Sequence, residues 1–81
     1  MNDAFSRLLN FPEYLKTWRL LDGNIAVSFE YTSIAEGGFL IRTFGVGVSF
    51  YDACENYLKE ISGKTLVVES PFGTRREYNV L

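Results

Sequence analysis

Eighty-one residues with 47% hydrophobic side chains and thirteen aromatics describe one small domain that builds its core without covalent staples. A net charge of −2, dispersed along the chain with no basic run, excludes binding driven by broad neutralisation of phosphates. The absence of histidine and the single cysteine remove the commonest general base, the commonest metal ligand and any internal disulfide.

The first reading from the N-terminus is a short helix over residues 3–9, with Asp3 as its cap and Ala4, Phe5, Leu8 and Leu9 on one face. Asn10 and Pro12 end it. Residues 11–21 fit a helix through Phe11, Tyr14, Leu15 and Trp18, and fit a strand through Trp18 and Leu20. Asp22-Gly23 decides for a strand from about Lys16 to Leu21, because Asp-Gly is a strong hairpin signal. A two-residue loop there pairs Leu21 with Asn24, Leu20 with Ile25 and Trp18 with Val27.

From Asn24 to Thr32 apolar and polar residues alternate, which predicts a strand with Ile25, Val27, Phe29 and Tyr31 inward. Thr32 to Gly38 reads as a loop, and Phe39 to Phe44 as a third strand with Leu40, Arg42 and Phe44 on one face. Gly45-Val46-Gly47 reads as a tight bend into the next helix.

That helix, Ser49 to Gly63, is the element around which the chain is organised. Phe50, Ala53, Cys54, Tyr57, Leu58 and Ile61 form one apolar stripe at helical spacing. Ser49 suits the N-cap, Asp52 the first turn, and Gly63 the left-handed position after the last turn. Thr65–Glu69 predicts a strand with Leu66 and Val68 inward. Ser70-Pro71-Phe72-Gly73 is a type I turn sequence, and Arg76–Val80 completes a hairpin with Tyr78 and Val80 inward. The expected fold is α+β: one antiparallel sheet in the order α-β-β-β-α-β-β, with the helices on one face, as a single domain over residues 1–81.

Three local patterns invite a chemical reading, and each has a plainer one. Cys54 lies on the buried stripe and has no histidine to activate it, so it fills the core. Ser62-Gly63-Lys64-Thr65 resembles the end of a phosphate-binding loop, but it leaves a helix and has Leu58 where that loop needs glycine. Gly45-x-Gly47 lacks the third glycine of a dinucleotide fingerprint, since Phe50 stands there. No catalytic, cofactor-binding or metal-binding residues are assigned, and no cofactor is expected.

Gly45-Val46-Gly47-Val48-Ser49-x-x-x-Ala53, closing a three-strand meander and opening a helix, resembles the corresponding stretch of double-stranded-RNA-binding domains. The topology is similar over roughly residues 3–62 and the motif over four residues. HicB-like antitoxins are similar in Gly47-x-Ser49-x-x-x-Ala53. Each resemblance implies a small α+β fold and transfers no ligand. Where the RNA-binding family places lysines on the second helix to hold phosphates, this chain has Phe50, Tyr51 and Cys54.

What remains is surface. Leu40, Arg42 and Phe44 form an apolar patch with a charge beside it, unless the N-terminal segment covers them. Tyr51 offers an aromatic for stacking. Phe72, Arg75 and Arg76 place an aromatic and two cations at a hairpin tip, unless Phe72 tucks back onto the core. These seven are the candidate partner-binding residues.

The leading expectation is a non-enzymatic protein that acts by occupying a protein surface. Its size, acidity and lack of catalytic groups resemble small inhibitor proteins of phages and mobile elements, including anti-CRISPR and antitoxin types. The alternative is a nucleic-acid-binding module using Arg75, Arg76 and exposed aromatics. A protein partner is expected ahead of nucleic acid, with a homodimer left open. No apolar run reaches the length of a membrane span, the first residues lack a signal-peptide pattern, and the lone cysteine suits a reducing compartment, so a cytoplasmic location is expected.

Overall fold

A computed structural model describes residues 3–81, which form two helices and seven strands. In chain order these are α1 (Ala4–Leu8), β1 (Leu15–Arg19), β2 (Ile25–Phe29), β3 (Thr32–Glu36), β4 (Phe39–Ile41), β5 (Gly45–Gly47), α2 (Phe50–Ile61), β6 (Thr65–Val68) and β7 (Arg76–Asn79). The fold is α+β, as expected. The single sheet is not: the strands form two antiparallel sheets, β1-β2-β5 and β4-β3-β6-β7, and five strands rather than three separate the helices.

The division of the sheet has a local cause at Tyr31. This residue takes a left-handed φ of 57°, rare for an aromatic, and inserts one extra residue into the alternation. Val27 and Phe29 before it and Thr32 and Ile34 after it are buried, while Tyr31 is turned out to solvent. The expected loop over residues 32–38 is therefore a strand, β3, whose residues keep their inward face but pair in the second sheet. Its return to β4 is a two-residue Gly37-Gly38 hairpin, with φ of 60° and 83°, as a type I′ turn requires.

The first hairpin is one residue out of the expected register. Leu20 N donates to the Asn24 carbonyl at 2.8 Å, Gly23 N donates to the Leu20 carbonyl, and Asp22 Oδ1 accepts from Asn24 N. With Gly23 at φ 93°, this is a three-residue loop with a left-handed glycine. Arg19 then faces Ile25, Trp18 faces Ala26 and Thr17 faces Val27. A one-residue slip changes the face of every side chain, so Trp18 lies on the opposite side from Val27. Leu9 is a smaller correction: α1 ends at Leu8, and Leu9 is exposed beyond it.

The core lies between α2 and the inner faces of both sheets. It gathers Leu8 from α1, Val27 and Phe29 from β2, Ile34 from β3 and Leu66 from β6 around Ala53, Cys54, Tyr57, Leu58 and Ile61. The caps of α2 follow the sequence: Ser49 accepts from Asp52 N, and Gly63 takes a φ of 77° after the last turn.

Gly45-Val46-Gly47 does not bend the chain into α2. It is β5, and its glycines let the helix lie directly on the strand. A Cβ on Gly45 would collide with the Ala53 carbonyl and Tyr57 N, and one on Gly47 with Ala53 N. Between β4 and β5, residues 42–44 cross from one sheet to the other, so the third strand ends at Ile41 rather than Phe44.

Candidate interaction surface

The register assigns an outer face, away from α2, to both sheets. In the first it carries Lys16 and Trp18 of β1 opposite Ser28 and Ala26 of β2, and Val46 of β5. In the second it carries Ser33 and Ala35 of β3, Leu40 of β4 opposite Ala35, and Val67 of β6 opposite Ser33. Ala26, Ser28 and Val67 are buried even on this side. The Trp18 ring lies 5.8 Å from that of Phe44, and the Lys16 ammonium stands 5.4 Å over the Trp18 ring.

Leu40 and Phe44 remain 43% and 47% exposed. The N-terminal helix does not cover them. It packs on α2, where Phe5 meets Phe50 and Tyr51 edge-to-face. Arg42, between them, is exposed and makes no salt bridge among the described residues. Phe39 and Ile41 point to the inner side but reach past the core, and Phe39 is 73% exposed. Residues 39–44 thus expose apolar side chains on both sides of the β4 edge, with one unpaired cation among them.

The other candidates stand on different elements. Tyr51 is exposed in the first turn of α2. Phe72 is 90% exposed at the β6–β7 turn, so it does not tuck onto the core. That turn is closed by Gly73 N donating to the Ser70 carbonyl and by Phe72 N donating to Ser70 Oγ.

Arg75 and Arg76 do not form a cationic cluster. Arg75 reaches Glu77 at 3.1 Å and Glu69 at 3.5 Å. Arg76 places Nε 2.6 Å and Nη2 2.9 Å from the two carboxylate oxygens of Glu13, a bidentate pair. Arg75, just before β7, is tied to Glu77, which faces the opposite way from Arg76 in the strand, so the two guanidiniums are held on opposite sides of β7.

No family model, no curated protein and no solved structure matches this chain.

Glu13 was not singled out from the sequence, yet it is the centre of the tightest polar cluster among the described residues. Its carboxylate also accepts from the Tyr78 hydroxyl at 2.6 Å. The hydrogen bonds from Arg76, and then from Tyr78, hold its pKa below the ordinary carboxylate range against the opposing effect of burial. The same contacts raise Arg76 and Tyr78. Sixty-three residues separate Glu13 from Arg76, so no local pattern could have revealed the pair. The cluster anchors the segment before β1 to β7, and all of its strong donors are already used within the chain.

Among the described residues, no three of His, Cys, Asp and Glu come together as a metal-binding set. No helix there is long and apolar enough to cross a membrane. Cys54 is fully buried, and burial, with a smaller contribution from the charge of Asp3, pushes its thiol up to about 11. The chemistry this surface offers is apolar contact with one guanidinium beside it.

Proposed function

We propose that this protein is a non-enzymatic binding module that occupies a protein surface, in the manner of small inhibitor proteins. The observation that carries the reading is the exposed apolar set Phe39, Leu40, Ile41 and Phe44, with Arg42 beside it. Apolar side chains with a neighbouring arginine favour association with protein, and phenylalanine and arginine are enriched at interface cores. Phe72 adds a second, separate aromatic contact. Nucleic-acid binding ranks lower because Arg75 and Arg76 are each occupied by carboxylates on opposite sides of β7. Binding by phosphate contacts needs several free cations together.

The test is a pull-down from the native host, with and without nuclease, using wild-type protein and the variants Phe44→Ser, Phe72→Ser and Arg75→Ala with Arg76→Ala. Each variant is melted first to establish that it folds. The expected result is a nuclease-resistant partner lost with Phe44→Ser or Phe72→Ser. Nuclease-sensitive capture abolished by the double arginine change, with both phenylalanine variants unaffected, would overturn the reading.

A further inference from the structure

The four sheet edges among the described residues are not equally protected. The β1 edge carries Lys16 and Arg19, and the β7 edge carries Arg76 and Glu77 with Arg75 just before it. The β5 edge is capped from α2. The bonds of Glu30 N to the Tyr14 carbonyl and Leu20 N to the Asn24 carbonyl set even-numbered β2 residues toward β1 and odd-numbered ones toward β5. Val46, opposite Ala26, therefore points its backbone groups outward, and Asn56 Nδ2 donates to its carbonyl at 2.6 Å. Charged side chains and covering groups are the ordinary means of blunting an edge.

The β4 edge has neither within the strand, its nearest charge being Arg42 just beyond it. Its residues are Phe39, Leu40 and Ile41, all exposed. The type I′ turn makes Glu36 and Phe39 a hydrogen-bonded pair, and Ile34 with Ile41 is the next. Phe39 and Ile41 therefore spend their backbone groups on β3, while the N–H and C=O of Leu40 point out of the sheet.

We propose that this edge pairs with the same edge of a second copy of the chain, antiparallel about Leu40, in a weak and reversible dimer. A strand whose central residue has both backbone groups facing outward is self-complementary about a two-fold axis. Leu40 pairs with its counterpart through two hydrogen bonds. Arg42 falls opposite Gly38 of the other copy, where no side chain obstructs it. Phe39 stands beside the other copy's Ile41, an apolar cross-strand pair on each side of the axis.

Edge pairing of residues 38–42 covers only the in-plane part of their exposed surface, below the roughly 1,000 Å² of a specific, stable interface. A contact of that size fits weak, transient association. The pairing also joins the outer faces of the two four-stranded sheets, so that Leu40 of both copies lies on one eight-stranded surface. It stands on the edge geometry and not on the protein-binding reading, which a monomer would satisfy equally.

Sedimentation velocity of the purified chain from about 10 μM to about 1 mM tests it. The wild type and Phe72→Ser should shift from monomer toward dimer with rising concentration. Leu40→Lys, which sets two ammonium groups face to face across the axis, should stay monomeric with an unchanged melting temperature. Leu40→Cys should cross-link to a covalent dimer under mild oxidation, since paired Cα atoms about 5.5 Å apart suit a disulfide. The wild type, whose only cysteine is buried, should not. A wild type that remains monomeric throughout, a Leu40→Lys variant that dimerises as well as wild type, or a Leu40→Cys variant that does not cross-link would each overturn the proposal.

Discussion

The backbone N–H of Phe29 donates to the hydroxyl of Tyr57 at 3.1 Å, in the middle of the core. Odd-numbered β2 residues face β5, but β5 begins at Gly45, opposite Val27, and leaves nothing opposite Phe29. A buried N–H without a partner is costly, and a tyrosine from α2 supplies one. The rings of Phe29 and Tyr57 also meet edge-to-face at 5.7 Å. Tyr57 thus serves the core twice, by its ring and by its oxygen.

Tyr57→Phe keeps the ring and removes the oxygen. It should destabilise the domain by about 1–3 kcal/mol, the cost of stranding a buried donor. For a domain this small each kcal/mol lowers Tm by about 4–8 °C. Thermal melting measures the loss, and faster hydrogen exchange at the Phe29 amide would locate it. An unchanged Tm would show that water reaches the Phe29 N–H.

The same burial predicts an alkaline limit. Burial pushes Tyr57 up to about 12 from an ordinary value of 10.0, and Cys54 up to about 11 from 9.0. Above the unfolded values only the unfolded chain has released these protons, so it binds fewer and stability falls as pH rises. Stability is full below about pH 9 and is lost through about pH 12, with Tyr57 accounting for on the order of 2–3 kcal/mol. Denaturant titrations across this range should show the decline, and Tyr57→Phe should flatten its upper half.

Glu13 acts at the opposite end of the scale. Its pKa is lowered in the folded state, so its contribution is present above the ordinary value of 4.5 and is lost as pH falls through the folded one. Glu13→Gln should cost about 1–3 kcal/mol at neutral pH, the worth of hydrogen bonds to a charged group. The variant should also show a flatter acid limb in Tm against pH. A full acid limb retained in Glu13→Gln would assign it to other carboxylates.

Gly45→Ala tests the close contact between β5 and α2. The added methyl meets helix backbone, which cannot rotate away, so α2 must lift from the strand. Overpacking costs typically about 1–3 kcal/mol, and a backbone collision belongs at or above the top of that range. Gly73→Ala is the milder comparison, since a Cβ there comes near one side-chain atom, Arg76 Nη1 at 3.3 Å, and no backbone. Equal melting temperatures for the two variants would refute the packing role of Gly45.

What could be read from the sequence was what short-range chemistry fixes. The stripe and caps of α2 lie within fifteen residues, and the helix formed as those residues indicate. The inward positions of Leu66, Val68 and Val80 also followed from alternation. Alternation failed where one residue changed the count: Tyr31 reads as another inward aromatic until its left-handed backbone is seen. At Asp22-Gly23 the loop chemistry was recognised, but the Asp22 side chain selected three residues instead of two, and Trp18 changed face. Leu40 and Phe44 were identified on the outer side, whereas the ties of Arg75 and Arg76 to carboxylates were not. Ion pairs such as Glu13–Arg76 depend on where distant segments meet, and no spacing rule reports that.

The turn at Tyr31 also governs how the domain comes apart. Residues 25–36 run as one length of chain that is the middle strand of the first sheet and an interior strand of the second. Neither sheet can release that strand without pulling on the ladder of the other. The two sheets are therefore a single cooperative unit, and the hydrogen-bonded amides of the interior strands β2, β3 and β6 should share one opening free energy and one unfolding transition.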